Sequence, residues 1–225
     1  KGGIDMSKKL INIDYISNYI KDGMTIMVSG FMGCGSPHKI IDKLCELNVK
    51  NLTLICNDTG FIEYGVGKMV VNKQFKKILS SHIGLNKESI RQLNENETEF
   101  ELIPQGTLAE RVRSGAGLGG VLTPTGIGTI IEEGKSKIVI DDVEYIIEKP
   151  LKADIAIIGA SKVDKKGNCY YSGSGRNFAP IMATAADIVI VEADEVVEVG
   201  DINPEVVMTP HIFVDYIVNG GNLNG

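Results

Sequence analysis

Asp22-Gly-Met-Thr-Ile-Met-Val-Ser-Gly-Phe-Met-Gly-Cys-Gly-Ser-Pro37 is the stretch that decides the fold. Asp22-Gly23 is a turn dipeptide, and Met24 to Val28 is a short apolar run fit for a buried strand. Gly30, Gly33 and Gly35 follow, then Ser36-Pro37 and a segment of helical period. Turn, strand, glycine loop and helix start is the order found where an open α/β sheet meets a ligand. Glycines let backbone N–H groups approach a bound group closely, and a helix start favours anions. Ser36 is the expected N-cap of that helix, with Pro37 at its first position.

Outward from this stretch the chain repeats the same rhythm. Ile40, Ile41, Leu44 and Leu47 give a helical stripe, and Leu52 to Cys56 a continuous apolar strand ended by Asn57-Asp58-Thr59-Gly60. Val66 to Val71 reads as a short helix, Phe75 to Ser80 as a strand, and Ser89 to Glu97 as a polar surface helix. Phe100 to Ile103 is a further strand, stopped by Pro104. Upstream, Ile13, Ile16 and Ile20 share one face of a short helix capped by Asn12 or Asp14. Continuous rather than alternating strands, separated by helices, predict an α/β fold: an open, mostly parallel sheet with helices on both faces.

The middle departs from that rhythm. Gly115 to Gly120 and Thr123 to Gly128 are too rich in glycine for one regular element. Lys137 to Ile140 and Val143 to Ile147, joined by Asp141-Asp142, predict a β-hairpin. Asp154 to Gly159 is again a buried strand, and Asp164 to Asn168 a surface turn. An Ala-rich helix from Pro180 to Ala186 should lead into the last strong strand, Asp187 to Glu192. With no internal repeat and no linker, residues 1–225 read as a single domain. Residues 1–5, ahead of Met6, look like a cloning remnant, and 220–225 like a loose tail.

Composition narrows the function. The net charge of −6 speaks against a nucleic-acid surface, so an anionic ligand would have to be held by amides or a few local cations. The four cysteines form no C-x-x-C pair, as expected of reduced thiols in a cytoplasmic protein. No apolar run approaches the roughly 18 residues of a membrane span, and no signal-peptide core is present.

Three familiar motifs fail on spacing. Gly30 to Gly35 is followed by Ser36-Pro37 instead of the Lys-Ser/Thr of a P-loop. Gly33-Cys-Gly35 meets His38 where a dinucleotide fingerprint needs its third glycine. His38, His82 and His211 are too scattered for a metal pair and read as surface or packing residues, so no metal is expected. Glu192-Ala-Asp194-Glu195 reads as a solvated strand end, and Cys34 as a small neutral space-filler rather than a nucleophile.

Taken in register, these residues resemble the signature of the family I CoA-transferases, A (alpha) subunit. That signature runs Asp-Gly, two residues, three apolar residues, Gly-Gly-Phe, three residues, Gly, any residue, Pro. Here it is Asp22-Gly23, Ile26-Met27-Val28, Ser29-Gly30-Phe31, Gly35 and Pro37, with Ser29 in place of the first glycine. Asn57-Asp58-Thr59, Ser81-His82-Ile83-Gly84, Pro104-Gln105-Gly106 and Gly115 to Gly126 are also similar to that subunit. The likeness is greatest to the acetate/butyrate–acetoacetate (3-oxoacid) type.

The resemblance implies the isomerase-like CoA-transferase fold, and transfer of CoA between a short-chain acyl-CoA and a free carboxylic acid. It implies a ping-pong scheme through a glutamyl-CoA thioester, with CoA as substrate and no cofactor. The nucleophilic glutamate would sit in a Ser-Glu-Asn-Gly loop of a beta subunit, a loop this sequence does not contain. An α2β2 heterotetramer is therefore implied. By resemblance Gln105 is the oxyanion donor, Ser29, Gly30, Phe31, Met32, Gly33, Cys34 and Gly35 bind CoA, and Gly117, Gly119 and Gly120 shape the site. On that basis Gly30→Val or Gly33→Val should stop transfer and leave folding nearly unchanged, and Ser29 should be extended with its hydroxyl beside the site. Competing readings are a sugar-phosphate isomerase or deaminase of the same superfamily, for which no acid–base pair is evident, and a non-catalytic CoA-binding subunit.

Overall fold

The computed structural model describes residues 9–221; residues 1–5 and most of the 220–225 tail, on which two expectations fall, lie outside them. From the opening stretch, parallel strands β2 (Thr25–Val28), β3 (Leu52–Cys56), β4 (Phe75–Ser80) and β5 (Glu99–Leu102) step outward in sequence order. On the other side of β2 lie β9 (Ala153–Asp164), β11 (Ala186–Val197), β12 (Tyr216–Asn219) and β1 (Leu10–Ile11), all parallel. Strand order thus reverses between β2 and β9, which opens a crevice at the C-terminal edge of the sheet. A two-residue strand, β10 (Cys169–Tyr170), folds back antiparallel on the end of β9.

The lack of alternation in the strands has the cause the sequence suggested: both faces are covered. Ile26 and Val28 pack with α1 (His38–Leu47) and α2 (Gly67–Val71) on one face. Met27, between them, faces the other way onto α4 (Gln105–Ser114) and α5 (Ala179–Met182). Burying each such side chain stabilises by roughly 1.5–3 kcal/mol, which is why a strand of only four residues is held firmly. The predicted hairpin is present as β7 (Lys137–Ile140) and β8 (Val143–Glu148), with β6 (Val121–Thr123) completing a small antiparallel sheet. Asp141 and Asp142 both have positive φ, 50° and 62°, as a two-residue primed turn requires.

Several boundaries differ from expectation. The Ala-rich helix is α5 alone, because Ala186 pairs with Ala153 and opens β11. The polar helix α3 (Lys87–Asn94) starts two residues early, where the Asn86 side chain accepts from the amides of Glu88 and Ser89. The segment after Asn12 is a 3-10 helix, Ile13–Asn18, with Asn12 as its cap. β11 runs on past Glu192 to Val197, and the short strand β12, which was not anticipated, follows it. Asp164 is buried rather than a surface residue: its Oδ1 accepts from the amides of Lys166, Gly167 and Asn168.

Candidate functional site

The loop after β2 is a tight turn. Phe31 and Cys34 exchange N–H···O bonds of 3.0 and 2.9 Å, and the two residues between them, Met32 and Gly33, have φ of 50° and 84°. Positive φ at Met32 costs of order 1–3 kcal/mol and persists only where neighbours impose it. Here the Met32 N–H donates to Asp58 Oδ2 at 3.0 Å, and Gly33 lies under the Tyr64 ring with no room for a side chain. Gly35 is equally confined: an added Cβ would stand 2.7 Å from Asn177 Nδ2 and 2.8 Å from Gly175 Cα.

Most of the loop's amides are already used. The N–H groups of Ser29, Gly30, Phe31, Met32 and Cys34 donate to Ile157 O, Asn177 Oδ1, Cys34 O, Asp58 Oδ2 and Phe31 O. Among the described residues, Gly33 and Gly35 are the loop positions whose N–H groups have no protein acceptor. Ser29 is outside the positive-φ region, as expected, but its hydroxyl is not beside the site. It is 1% exposed, donates to Gly35 O and accepts from Gly159 N–H, tying the loop to β9.

Nor does the following helix offer an anion site. Ser36 does not cap it; α1 begins at His38 with Pro37 in the cap position, and Pro37 has no side-chain donor or acceptor to give. The amides of Lys39 and Ile40 instead donate to the two oxygens of Glu192, at 3.2 and 2.8 Å. Glu192 is therefore a buried helix cap, not part of a solvated strand end. Its burial pushes its carboxyl above the ordinary range, and the Ile40 and Lys39 amides oppose that rise.

Two cavities flank the loop. One, of about 250 Å³, is walled by Phe31, Met32, Asn57, Asp58, Ser81, His82, Leu85 and Gln105. Gln105 opens α4, and the loop brings Phe31 and Met32 to the same space. Its Nε2 donates to Asn57 Oδ1, its Oε1 accepts from the Ser81 hydroxyl, and Asn57 Nδ2 donates to Asp58 Oδ2 at 3.0 Å. The other, of about 290 Å³, lies at the β2/β9 crevice and includes Gly33, Cys34, Gly35, His38, Tyr64 and Asp194. His38 stacks on Tyr64 with centroids 4.3 Å apart, and burial lowers its pKa. Cys34 is exposed there, 3.3 Å from the Ser174 hydroxyl, so it is a wall residue rather than a space-filler.

The structure thus unites Gln105 with Phe31 and Met32 and places Gly33 to Gly35 on the opposite wall of the loop. Gly117, Gly119 and Gly120 line neither cavity; Gly120 closes on the Glu148 carbonyl, beside the small sheet. Asn57 and Asp58 carried the family resemblance without being given a role, and Ser81 likewise. A buried carboxylate at a strand end was the available signal. Among the described residues, no cluster of His, Cys, Asp and Glu is arranged to hold a metal, and no helix is long and apolar enough to cross a membrane.

The family model for coenzyme A transferases matches residues 11–220. The chain belongs to the coenzyme A transferase family. Within it, the chain is 51% identical over 214 residues to the acetoacetyl-CoA:acetate/butyrate CoA transferase alpha subunit of Clostridium acetobutylicum, covering 95% of this chain and 98% of that one. It is 47% identical to the acetate CoA-transferase subunit alpha of Escherichia coli, covering 95% and 97%. The coenzyme A transferase fold is seen in glutaconate coenzyme A-transferase from Acidaminococcus fermentans, at TM-score 0.84 and 16% identity, over 95% of this chain and 76% of that one. An Escherichia coli acyl-CoA transferase superposes with TM-score 0.83 and 22% identity over 93% of this chain. The chain spans 46% of that longer polypeptide.

Proposed function

We propose that this chain is the alpha subunit of a heteromeric, cytoplasmic CoA-transferase that exchanges CoA between acetoacetyl-CoA and a short acid such as acetate or butyrate. The observation that carries the reading is the placement of the Gln105 amide on an apolar cavity shared with Phe31 and Met32 of the glycine loop. The 51% identity to a subunit with that printed activity supports the substrate class. A carboxylate of the partner subunit attacks the thioester carbonyl; the carbonyl oxygen takes the charge, and a Gln105 N–H stabilises it. CoA thiolate leaves, giving a mixed anhydride, then attacks the glutamyl carbonyl and expels the first acid. The second acid reverses both steps, so atoms and electrons balance without a cofactor.

A neutral amide suits this role, because it donates without drawing the nucleophilic carboxylate into an ion pair. Loss of one such donor costs roughly 10²–10³ in rate. The cavity takes the acyl chain against Phe31, Met32 and Leu85, and CoA reaches the free amides of Gly33 and Gly35 across the loop.

Co-expression with a candidate beta subunit tests the reading. The complex is treated with acetoacetyl-CoA and borohydride, and both chains are mapped by mass spectrometry. A reduced glutamate on the partner is the expected result. A label on this chain, or full activity without a partner, overturns it; activity as a sugar-phosphate isomerase would point to the competing enzyme class.

A further inference from the structure

We propose that buried Asp58 is a positioning residue that sets, through Asn57, which end of the Gln105 amide faces the substrate. This rests on Gln105 being the oxyanion donor. A glutamine amide has nearly the same shape either way round, yet only its NH₂ end can stabilise an oxyanion; its carbonyl end would repel one. Catalysis by Gln105 therefore needs something that forbids the flipped amide.

Asp58 supplies that constraint. It is 5% exposed and lies at the end of β3, and an ionised carboxylate can only accept. Its Oδ1 takes the Gly60 N–H at 2.8 Å, and its Oδ2 takes the Met32 N–H at 3.0 Å. The remaining neighbour of Oδ2 is the Asn57 side chain, at 3.0 Å, which must present Nδ2 to an acceptor. That turns Asn57 Oδ1 toward Gln105, and an oxygen there demands Nε2 from Gln105. One Nε2 hydrogen is used in this bond. The second stays free to point at a carbonyl oxygen in the cavity.

Ser81 cannot do this alone. Its one hydrogen goes either to Gln105 Oε1 or to the Asn57 backbone carbonyl at 2.7 Å. With the hydrogen on that carbonyl the hydroxyl can only accept, which favours a flipped Gln105, so Ser81 does not select the productive amide. The sense of the whole chain of amides is fixed at its one acceptor-only end. The same carboxylate holds the strained Met32 turn, so one group aligns both the oxyanion donor and the apolar wall opposite it.

The test uses the complex with its partner subunit and measures kcat and KM for Gln105→Ala, Asn57→Ala and Asp58→Ala, each also in the Gln105→Ala background. Gln105→Ala alone should lower kcat roughly 10²–10³-fold. Asn57→Ala and Asp58→Ala should each lower kcat about 10-fold or more and should change kcat less than about twofold once Gln105 is gone; KM should stay within about twofold for Asn57→Ala and rise for Asp58→Ala, which also releases the Met32 turn. Asp58→Asn keeps one oxygen for three donors, the N–H groups of Gly60 and Met32 and the Asn57 amide, and should fall between wild type and Asp58→Ala; it carries the test if Asp58→Ala does not fold. Losses that persist in the Gln105→Ala background would show a merely structural role and overturn the relay. So would single variants at 57 and 58 with wild-type kcat. If Gln105→Ala itself keeps full kcat, the oxyanion reading fails, a result distinct from loss of the relay alone.

Discussion

Gly33→Ala separates what the loop's geometry requires from what its chemistry requires. Gly33 has φ of 84°, where an L-residue is strained by roughly 1–2 kcal/mol. Its added Cβ would also enter the Tyr64 ring. Tyr64 is 48% exposed, so the ring can swing toward solvent instead of forcing the backbone apart. What it gives up is its stack on His38, worth about 0.5–1.5 kcal/mol. The expected total is about 1.5–3.5 kcal/mol in the wild-type background. In a Tyr64→Ala background the obstacle is gone and only the strain of roughly 1–2 kcal/mol should remain. Urea denaturation of the four chains, followed by circular dichroism, gives the cycle. Equal costs in both backgrounds would refute the close approach of Tyr64, and a cost below about 0.5 kcal/mol would refute the left-handed turn itself. The same geometry corrects the expectation for Gly33→Val, which cannot leave folding nearly unchanged.

Glu192→Ala strips the acceptor from the Lys39 and Ile40 amides and should cost about 1–2 kcal/mol in urea denaturation, partly offset by relief of a buried charge; no loss would show that α1 does not depend on this cap. Asp164→Ala leaves the Lys166 and Asn168 N–H groups of a half-buried turn without their acceptor, while Gly167 keeps the Asp164 carbonyl at 2.8 Å, and should cost roughly 2–3 kcal/mol, with faster proteolysis at residues 165–167; an unchanged midpoint would refute the account of the turn. Burial lowers the pKa of His38 below 6.5, so the folded chain favours its neutral form. That contribution is complete above pH 6.5 and is lost as pH falls through the lowered value, so wild type should lose more stability than His38→Phe between about pH 7.5 and 5.5. Parallel losses in the two chains would contradict it.

The sheet was legible because its strands obey one simple rule. Leu52–Cys56 is apolar but for Thr53, Phe75–Ser80 carries Ile78-Leu79 behind two lysines, and both, bounded by polar turns, were placed to the residue. Errors fell where a distant partner overrides local preference. Ser36-Pro37 is a good local helix start, but the cap comes from Glu192, which is 153 positions from Lys39. Alanines 183, 185 and 186 favour a helix, but parallel pairing with Ala153 turns the last of them into a strand. Tyr216–Asn219 is too short to stand out in sequence and exists because β11 and β1 offer it two edges.

The site was legible in its parts and not in its use of them. Three glycines before a helix suggest a cradle for phosphate, in which free amides and the helix start do the binding. Here the helix start is filled by Glu192 and five of the loop's amides bond within the chain, so the loop cannot act chiefly as an anion trap. Its glycines instead let the chain turn back tightly enough to seat Met32 and Phe31 against Gln105. That division of labour explains how a chain of net charge −6 can serve an anionic substrate. In the proposed mechanism it contributes a shaped apolar wall and one oriented amide, while the charged attack on the thioester falls to a carboxylate of the partner subunit. An extra cation in the loop, Cys34→Lys for example, should then tighten CoA binding a few-fold at most through long-range attraction that salt screens. A gain that survived high salt would mean that the loop does hold phosphate directly, and would return it to the cradle its sequence first suggests.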